Sequence, residues 1–281
     1  MTFGPALRAT AGIAVLSGMD AVIKGMAAHY PVLQVAFLRF VFGTLVAAGV
    51  VAVLRPGWPS RETTIANGLR SVIAVLTATT FFYALSELPL AETLVLSFLA
   101  PMFVALFGLV LLREPVGGRV VAALAAGFAG TLVVVLGPGG EEAGERSWTG
   151  VAAALASAVL YAFSLVLLRQ RALRDRYAHI VIFQNVGPML LISPFGLAAW
   201  QTPSLPHFGW FLVIGMLGVT GHILLATAFA KAEAARLAPL DYTALIWAAL
   251  IGYAVFDEVP TLATLVGGAL IVGAALITSR R

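Results

Sequence analysis

LAETLVLSFLAPMFVALFGLVLLREP, residues 90–115, decides the fold. From Leu90 to Leu112 its one charge is Glu92, and it closes on Arg113, Glu114 and Pro115. About twenty apolar residues bounded by charges are what a helix needs to cross a bilayer. An echo, ALIWAALIGYAVFDEVP, fills 244–260. A shift of 144 residues lays Ala84 on Ala228, Ala100 on Ala244, Ala105 on Ala249, Leu106 on Leu250, Gly108 on Gly252 and Glu114 on Glu258. Ala and Leu are abundant here, so the Gly–Glu pair six residues apart carries most of the match. The echo lacks one feature, since Leu245 stands where Pro101 would align.

Working outward, the polar breaks delimit ten apolar stretches: 5–27, 31–54, 67–87, 89–112, 117–137, 148–170, 178–199, 206–231, 238–256 and 260–278. Pro31, Pro89, Pro115, Pro206 and Pro260 sit at or just before expected helix starts, where a missing N–H costs nothing. The longest irregular stretch is Gly-rich and acidic, runs from Gly137 to Arg146, and lies halfway along the chain. It reads as a linker, 138–147, between an N-terminal five-helix repeat, 1–137, and a C-terminal one, 148–281. Five is odd, so the second repeat enters the membrane from the opposite side. The expected fold is an all-α membrane protein of ten transmembrane helices in two inverted repeats, an architecture of alternating access around a central site.

Charge orients it. Of 17 Lys and Arg, 14 fall at the two termini and in alternate loops: Arg8; Arg55, Arg61 and Arg70; Arg113 and Arg119; Arg169, Arg171, Arg174 and Arg176; Lys231 and Arg236; Arg280 and Arg281. The intervening loops hold only Arg146, while Lys24 and Arg39 lie inside apolar stretches. Basic residues collect where loops stay cytoplasmic, so both termini are expected inside and the 138–147 linker outside.

Composition excludes much else. The chain of 281 residues is 60% hydrophobic and 11% charged, with mean hydropathy +0.99. Ten spans of about 20 residues use about 200 of them and leave no room for a soluble nucleotide-binding engine. No GxxxxGK[ST] phosphate loop occurs and no cofactor is expected. The net charge of +4 reads as membrane topology and not as nucleic-acid binding. Cysteine is absent, which excludes disulfides and Cys-based metal sites. Asp20 and Lys24 inside the first apolar run argue for a retained helix and against a cleaved signal.

The stretch 90–115 and its echo resemble the drug/metabolite transporter superfamily in its EamA-type branch, in their small residues, a mid-helix Pro in the first copy, then Gly and a terminal Glu. The resemblance spans the chain. It implies two inverted halves of five helices, a bacterial inner membrane and a small-molecule substrate. Bacterial members of this size are often exporters of amino acids and related metabolites, and the likeness extends to aromatic amino acid exporters. It also places the fourth and ninth spans at the cavity.

Polar side chains at membrane depth are the candidate site, because an ionisable group there is costly. Asp20 and Lys24 are four apart and share a helix face. They fit a zwitterion at the outer mouth of a site, or an intrahelical ion pair with Lys24 reaching to the interface. Arg39, at similar depth, fits a structural pairing with Asp20. Thr79, Thr80, Tyr83 and Glu87 form one stripe, Thr93, Ser97 and Pro101 another, and Ser157, Tyr161 and Ser164 a third. Most such hydroxyls bond between helices. Tyr161 and Trp247 lie near mid-membrane, away from the interfacial belt, and fit either lipid-facing filler or the walls of a stacking pocket. His222 is the one histidine expected well inside a helix; it fits proton coupling or a satisfied interhelical contact. Pro101 and Pro188 are expected to interrupt their helices and free a carbonyl. Gln184 and Asn185 are expected to bond between helices. The expected midplane pocket is Thr79, Tyr83, Ser97, Pro101, Tyr161, Ser164, His222 and Trp247, with Asp20 and Lys24 towards its outer mouth.

Spans five and ten carry small residues at four-residue spacing, Ala123/Gly127, Ala126/Gly130, Ala263/Gly267 and Ala269/Gly273. They are expected to be scaffold, packed on each other or across a homodimer. Other classes fit poorly. A rhomboid-like protease needs a Ser in a Gly-rich turn beside a His, and GVTGHILL has no Ser. An aspartyl intramembrane protease needs two deep Asp, and Asp241 lies near a span end. No HExxH and no channel filter sequence occurs.

Overall fold

The computed structural model describes residues 4–100, 147–172, 174–231 and 243–279, Leu240, and single positions or short runs between 102 and 133. The described residues are helical, with short turns between. In chain order the helices are α1 (Pro5–Ala27), α2 (Val32–Leu54), α3 (Arg61–Glu87), α4 (Leu90–Ser97), α5 (Trp148–Ala172), α6 (Tyr177–Ala198), α7 (Leu205–Phe229), α8 (Thr243–Phe256) and α9 (Leu262–Ser279). Among them α1, α2, α3, α5, α6 and α7 are long and apolar enough to cross a membrane.

Local chemistry sets the boundaries. Pro5 opens α1, Pro31 and Pro89 stand immediately before α2 and α4, and Pro206 lies in the first turn of α7. Pro115 falls outside the described residues. Ser60 caps α3, its Oγ accepting from the Thr63 amide at 3.1 Å. That cap starts α3 six residues before the expected 67. Thr261 caps α9 in the same way, accepting from Thr264 at 3.1 Å. The helix at Leu90 loosens into a turn at Phe98–Leu99 and resumes at Ala100. A proline at 101 has no N–H to offer the carbonyl of Ser97, four residues back, which accounts for the break there. Pro101 itself lies outside the described residues. Pro188 does not interrupt α6, which runs on through Pro188 and Pro194.

The two halves interleave. α1 packs along α7 and α3 along α5; α2 packs on α6; α2 meets α7 as α3 meets α6; α1 meets α8 as α4 meets α5. Each of these packings has its counterpart when the first half is exchanged for the second. The Gly12–Gly221 contact shows how close α1 and α7 come: a Cβ on Gly12 would lie 3.1 Å from the Gly221 carbonyl oxygen. Helix ends sort as well. Lys24, near the end of α1, reaches the end of α3 at Leu85 and Leu88, and Glu87 there accepts from Ser147 at the start of α5. α5 therefore begins at the end of the molecule where α1 finishes.

Candidate functional site

A cavity of about 270 Å³ lies between the helices, with Asp20, Ser97, Tyr161, Ser164 and His222 in its wall. Arg39, Arg70, Ser17, Ser157 and Gln184 join them, and the remaining wall is mostly apolar, with Phe40, Phe81, Phe82, Phe98 and Phe229. Every helix from α1 to α8 contributes. Ala100 and Ala244, aligned by the 144-residue shift, both line it. The broken helix at Ser97–Ala100 supplies wall residues on either side of its turn, an arrangement that puts irregular backbone where it faces a cavity and not lipid.

Three ionisable side chains, Asp20, Arg39 and Arg70, and a histidine meet here. Asp20 and Arg39 interact electrostatically. Arg39 is buried, donates from Nη1 to Asn185 Oδ1 at 2.7 Å, and lies 4.6 Å over the Phe40 ring. Asn185 is held in turn by the Val181 carbonyl at 2.8 Å. Arg70 is 3% exposed, and its buried Nε has no hydrogen-bond partner among the described residues. His222 Nδ1 is 2.6 Å from the Gly218 carbonyl. A carbonyl can only accept, so Nδ1 donates this bond, and in the neutral ring Nε2 keeps its lone pair.

Other expected site residues lie elsewhere. Lys24 is not paired with Asp20. Its Nζ lies 3.1 Å from Glu258 Oε1 and donates to the carbonyls of Leu85 at 3.1 Å and Leu88 at 2.6 Å. Glu258 also accepts from the Leu90 amide at 2.9 Å. One clasp thus ties α1, the α3–α4 turn and the α8–α9 turn at the end away from the N-terminus. The same end holds Gln34 and Gln201 bonded to each other twice, at 2.6 and 2.7 Å, and Tyr30 bonded to His207 at 2.6 Å. Thr79 turns back onto the carbonyls of Val75 and Leu76. Tyr83 donates to Thr149 at 3.1 Å, so that stripe of α3 faces the start of α5. Trp247 packs behind the wall on Ala9, Ile13, Leu225 and Ala228.

Arg70 is the largest departure from the sequence reading. Counted there with the loop cations, it is buried in α3 at the cavity. The missed signal was the Ser60 cap: from Arg61, nine residues at about 1.5 Å each carry the helix roughly 14 Å inward. Gln184 lines the cavity, while Asn185 makes the interhelical bond expected of it. None of the described residues of 118–133 or of α9 lines the cavity; Ala126 packs on the apolar cluster of α3, α4 and α5, and α9 packs on α4. Ala123 and Gly127 lie outside the described residues.

The other end is latched around Asp175, in the turn between α5 and α6. Asp175 accepts from Thr63 Oγ1, Asn67 Nδ2 and Arg171, each at 2.9 Å, and Arg171 also donates to Glu62 at 2.8 Å. Burial alone would raise the Asp175 carboxyl, but the bonds from Arg171, Asn67 and Thr63 outweigh it and hold the group below the usual carboxylate range. Among the described residues no cluster of metal-ligating side chains occurs.

Comparison with known proteins agrees with this architecture. The EamA-like transporter family model matches the chain twice, over residues 7–136 and 148–280, and the chain belongs to that family. It is 30% identical over 272 residues to the pseudopaline exporter CntI of Pseudomonas aeruginosa, covering 94% of this chain and 92% of that protein. It is 25% identical over 260 residues to an S-adenosylmethionine uptake transporter of Rickettsia bellii, covering 92% and 88%. A solved crystal structure matches with a TM-score of 0.65 at 22% identity, covering 94% of this chain and 97% of that one, a likeness of fold alone. The chain is a multi-pass membrane transporter built of two EamA repeats.

Proposed function

We propose that this member of the EamA-like transporter family is a secondary transporter that exports amino acids or similar small metabolites across a bacterial inner membrane by alternating access. The cavity carries the reading: it is walled by both repeats, it is mostly apolar, and it holds Asp20, Arg39, Arg70 and His222. A few polar groups in an apolar hollow are the usual make-up of a small-molecule site. The repeat-related packings and the opposite starts of α1 and α5 support ten spans in two inverted halves, 1–137 and 148–281, joined by an external linker at 138–147. With Arg70 moved from its loop to the cavity, thirteen basic residues against one support cytoplasmic termini.

The substrate site we assign is Asp20, Ser97, Tyr161, Ser164 and His222, with Arg39 and Arg70 added. Pro101 shapes it through the helix break. Lys24 acts as a clasp at the outer end, Thr79 and Tyr83 as packing on α5, and Trp247 as support behind the wall. The aromatic wall suits apolar or aromatic amino acids, and Nε2 of His222 is where a coupled proton would ride. A relative named as an exporter and another as an uptake transporter leave direction to experiment. α9 offers its small-residue stripe to a homodimer.

The test is counterflow in proteoliposomes with a labelled amino acid panel, run in both orientations. Tyr161→Ala should raise KM several-fold, whereas Trp247→Ala should lower thermal stability and leave substrate ranking as it was. Absence of counterflow for the whole panel, with the protein folded, would refute the reading.

A further inference from the structure

Arg70 is a buried cation with no hydrogen bond or ion pair among the described residues, and it borders the cavity. The neighbouring charges are committed. Arg39 has Asn185, the Phe40 ring and the field of Asp20. Lys24, the other cation of α1 at membrane depth, is held by Glu258 and two carbonyls. Asp175 acts on Arg70 through its field, but its oxygens are taken by Arg171, Thr63 and Asn67, and it does not line the cavity. The cavity wall holds one carboxyl group, Asp20, against two guanidiniums, Arg39 and Arg70. At least one positive charge is left over.

A charge held out of water without a partner is costly, and it persists where function requires it. A guanidinium is also a planar fork that matches a carboxylate with two parallel hydrogen bonds. We propose that Arg70 anchors an anionic group of the substrate, so that the metabolite carried has one more negative charge than positive. An amino acid with a second carboxylate is the class that fits: its ammonium meets Asp20 and its added carboxylate meets Arg70. The inference rests on the transport reading above and narrows its substrate. The aromatic wall of Phe81, Phe98 and Tyr161 sets the body of that molecule. The matched probes are therefore phenylalanine and 4-carboxyphenylalanine, which differ by one carboxylate.

Counterflow of the two probes is measured in one proteoliposome preparation of the full chain, and their ratio is read. The wild type should favour 4-carboxyphenylalanine by about ten- to a hundredfold, the range expected for a hydrogen bond to a charged group. Arg70→Gln should bring the ratio to about one or below, and Arg70→Lys should keep part of the preference. The ratio does not depend on how much protein folds, so a poorly folded variant leaves it unchanged. Phenylalanine moved as fast as its carboxylated partner by the wild type, or an unchanged ratio in Arg70→Gln, overturns the proposal and leaves amino acid transport standing. Counterflow of neither probe, together with no thermal shift from either, overturns the proposal, and absence of counterflow for the whole amino acid panel overturns the transport reading with it.

Discussion

Removing the Lys24 ammonium should unclasp the end of the molecule away from the N-terminus. Nζ lies 3.1 Å from Glu258 Oε1, and the two side chains are only 14% and 22% exposed. At that separation and an effective dielectric near 20, the bare attraction is about 5 kcal/mol. Desolvation of both groups offsets much of it. What remains for a charge-assisted hydrogen bond is about 2 kcal/mol, or about 30-fold in the equilibrium between shut and open. The chain has no cysteine, so a single introduced thiol labels without background. Phe82 lines the cavity and lies close in sequence to the clasped turn, which makes Phe82→Cys the reporter. In intact cells a membrane-impermeant maleimide should label it about 30-fold faster in a Lys24→Ala background. Glu258→Gln should act in the same direction, and the two effects should not multiply, because both remove the Lys24–Glu258 pair. Equal labelling with and without Lys24, or effects of the two singles that multiply, would refute the clasp.

Three further outcomes are expected. Gly215→Ala should destabilise by about 1–3 kcal/mol, since the new Cβ would meet the Phe42 carbonyl carbon at 2.7 Å and the Gly43 nitrogen at 2.9 Å, backbone that cannot yield. Gly18→Ala, with nothing within 4 Å, should gain up to about 1 kcal/mol, and thermal unfolding in detergent compares the two. The Asp175 latch stabilises the fold above the unfolded carboxylate pKa of 3.8 and weakens as pH falls through the lower folded value, so wild type and Asp175→Asn should differ in melting temperature at pH 7 and converge only as pH falls below that folded value. Single cysteines at Ser97 and Ser157 should be protected from thiol reagents by substrate, while one at Thr79 or Ala126 should not; protection at Thr79 would move the site to the α3–α5 face.

Much of the helical frame was legible because helix ends are decided locally. Pro5, Pro31, Pro89 and Pro206 mark starts by what proline cannot donate, and the expected 5–27 matches α1. The 90–115 stretch and its echo pointed to a duplicated membrane protein from apolar length and spacing alone, and the family model matches once in each half. The site was legible only in part. Periodicity shows that Thr79 and Tyr83 share a face of α3, but it is silent on whether that face meets a cavity or α5, and it meets α5. Ser97, Tyr161, Ser164, His222 and Asp20 reached the cavity wall; Lys24 and Trp247 did not.

Hydropathy, prolines and the distribution of Lys and Arg determined by themselves that this chain is helical, duplicated and embedded in a membrane, because each is a property of a residue and its near neighbours. Which charge meets which was decided by the tertiary structure. Lys24 passes over Asp20, one turn away, for Glu258 on the far side of the chain, and Arg70 leaves the loop it was counted with for the cavity. Partners of that kind are set by how helices from the two halves pack, and the strength of a charge in a low-dielectric interior depends on what that packing places beside it.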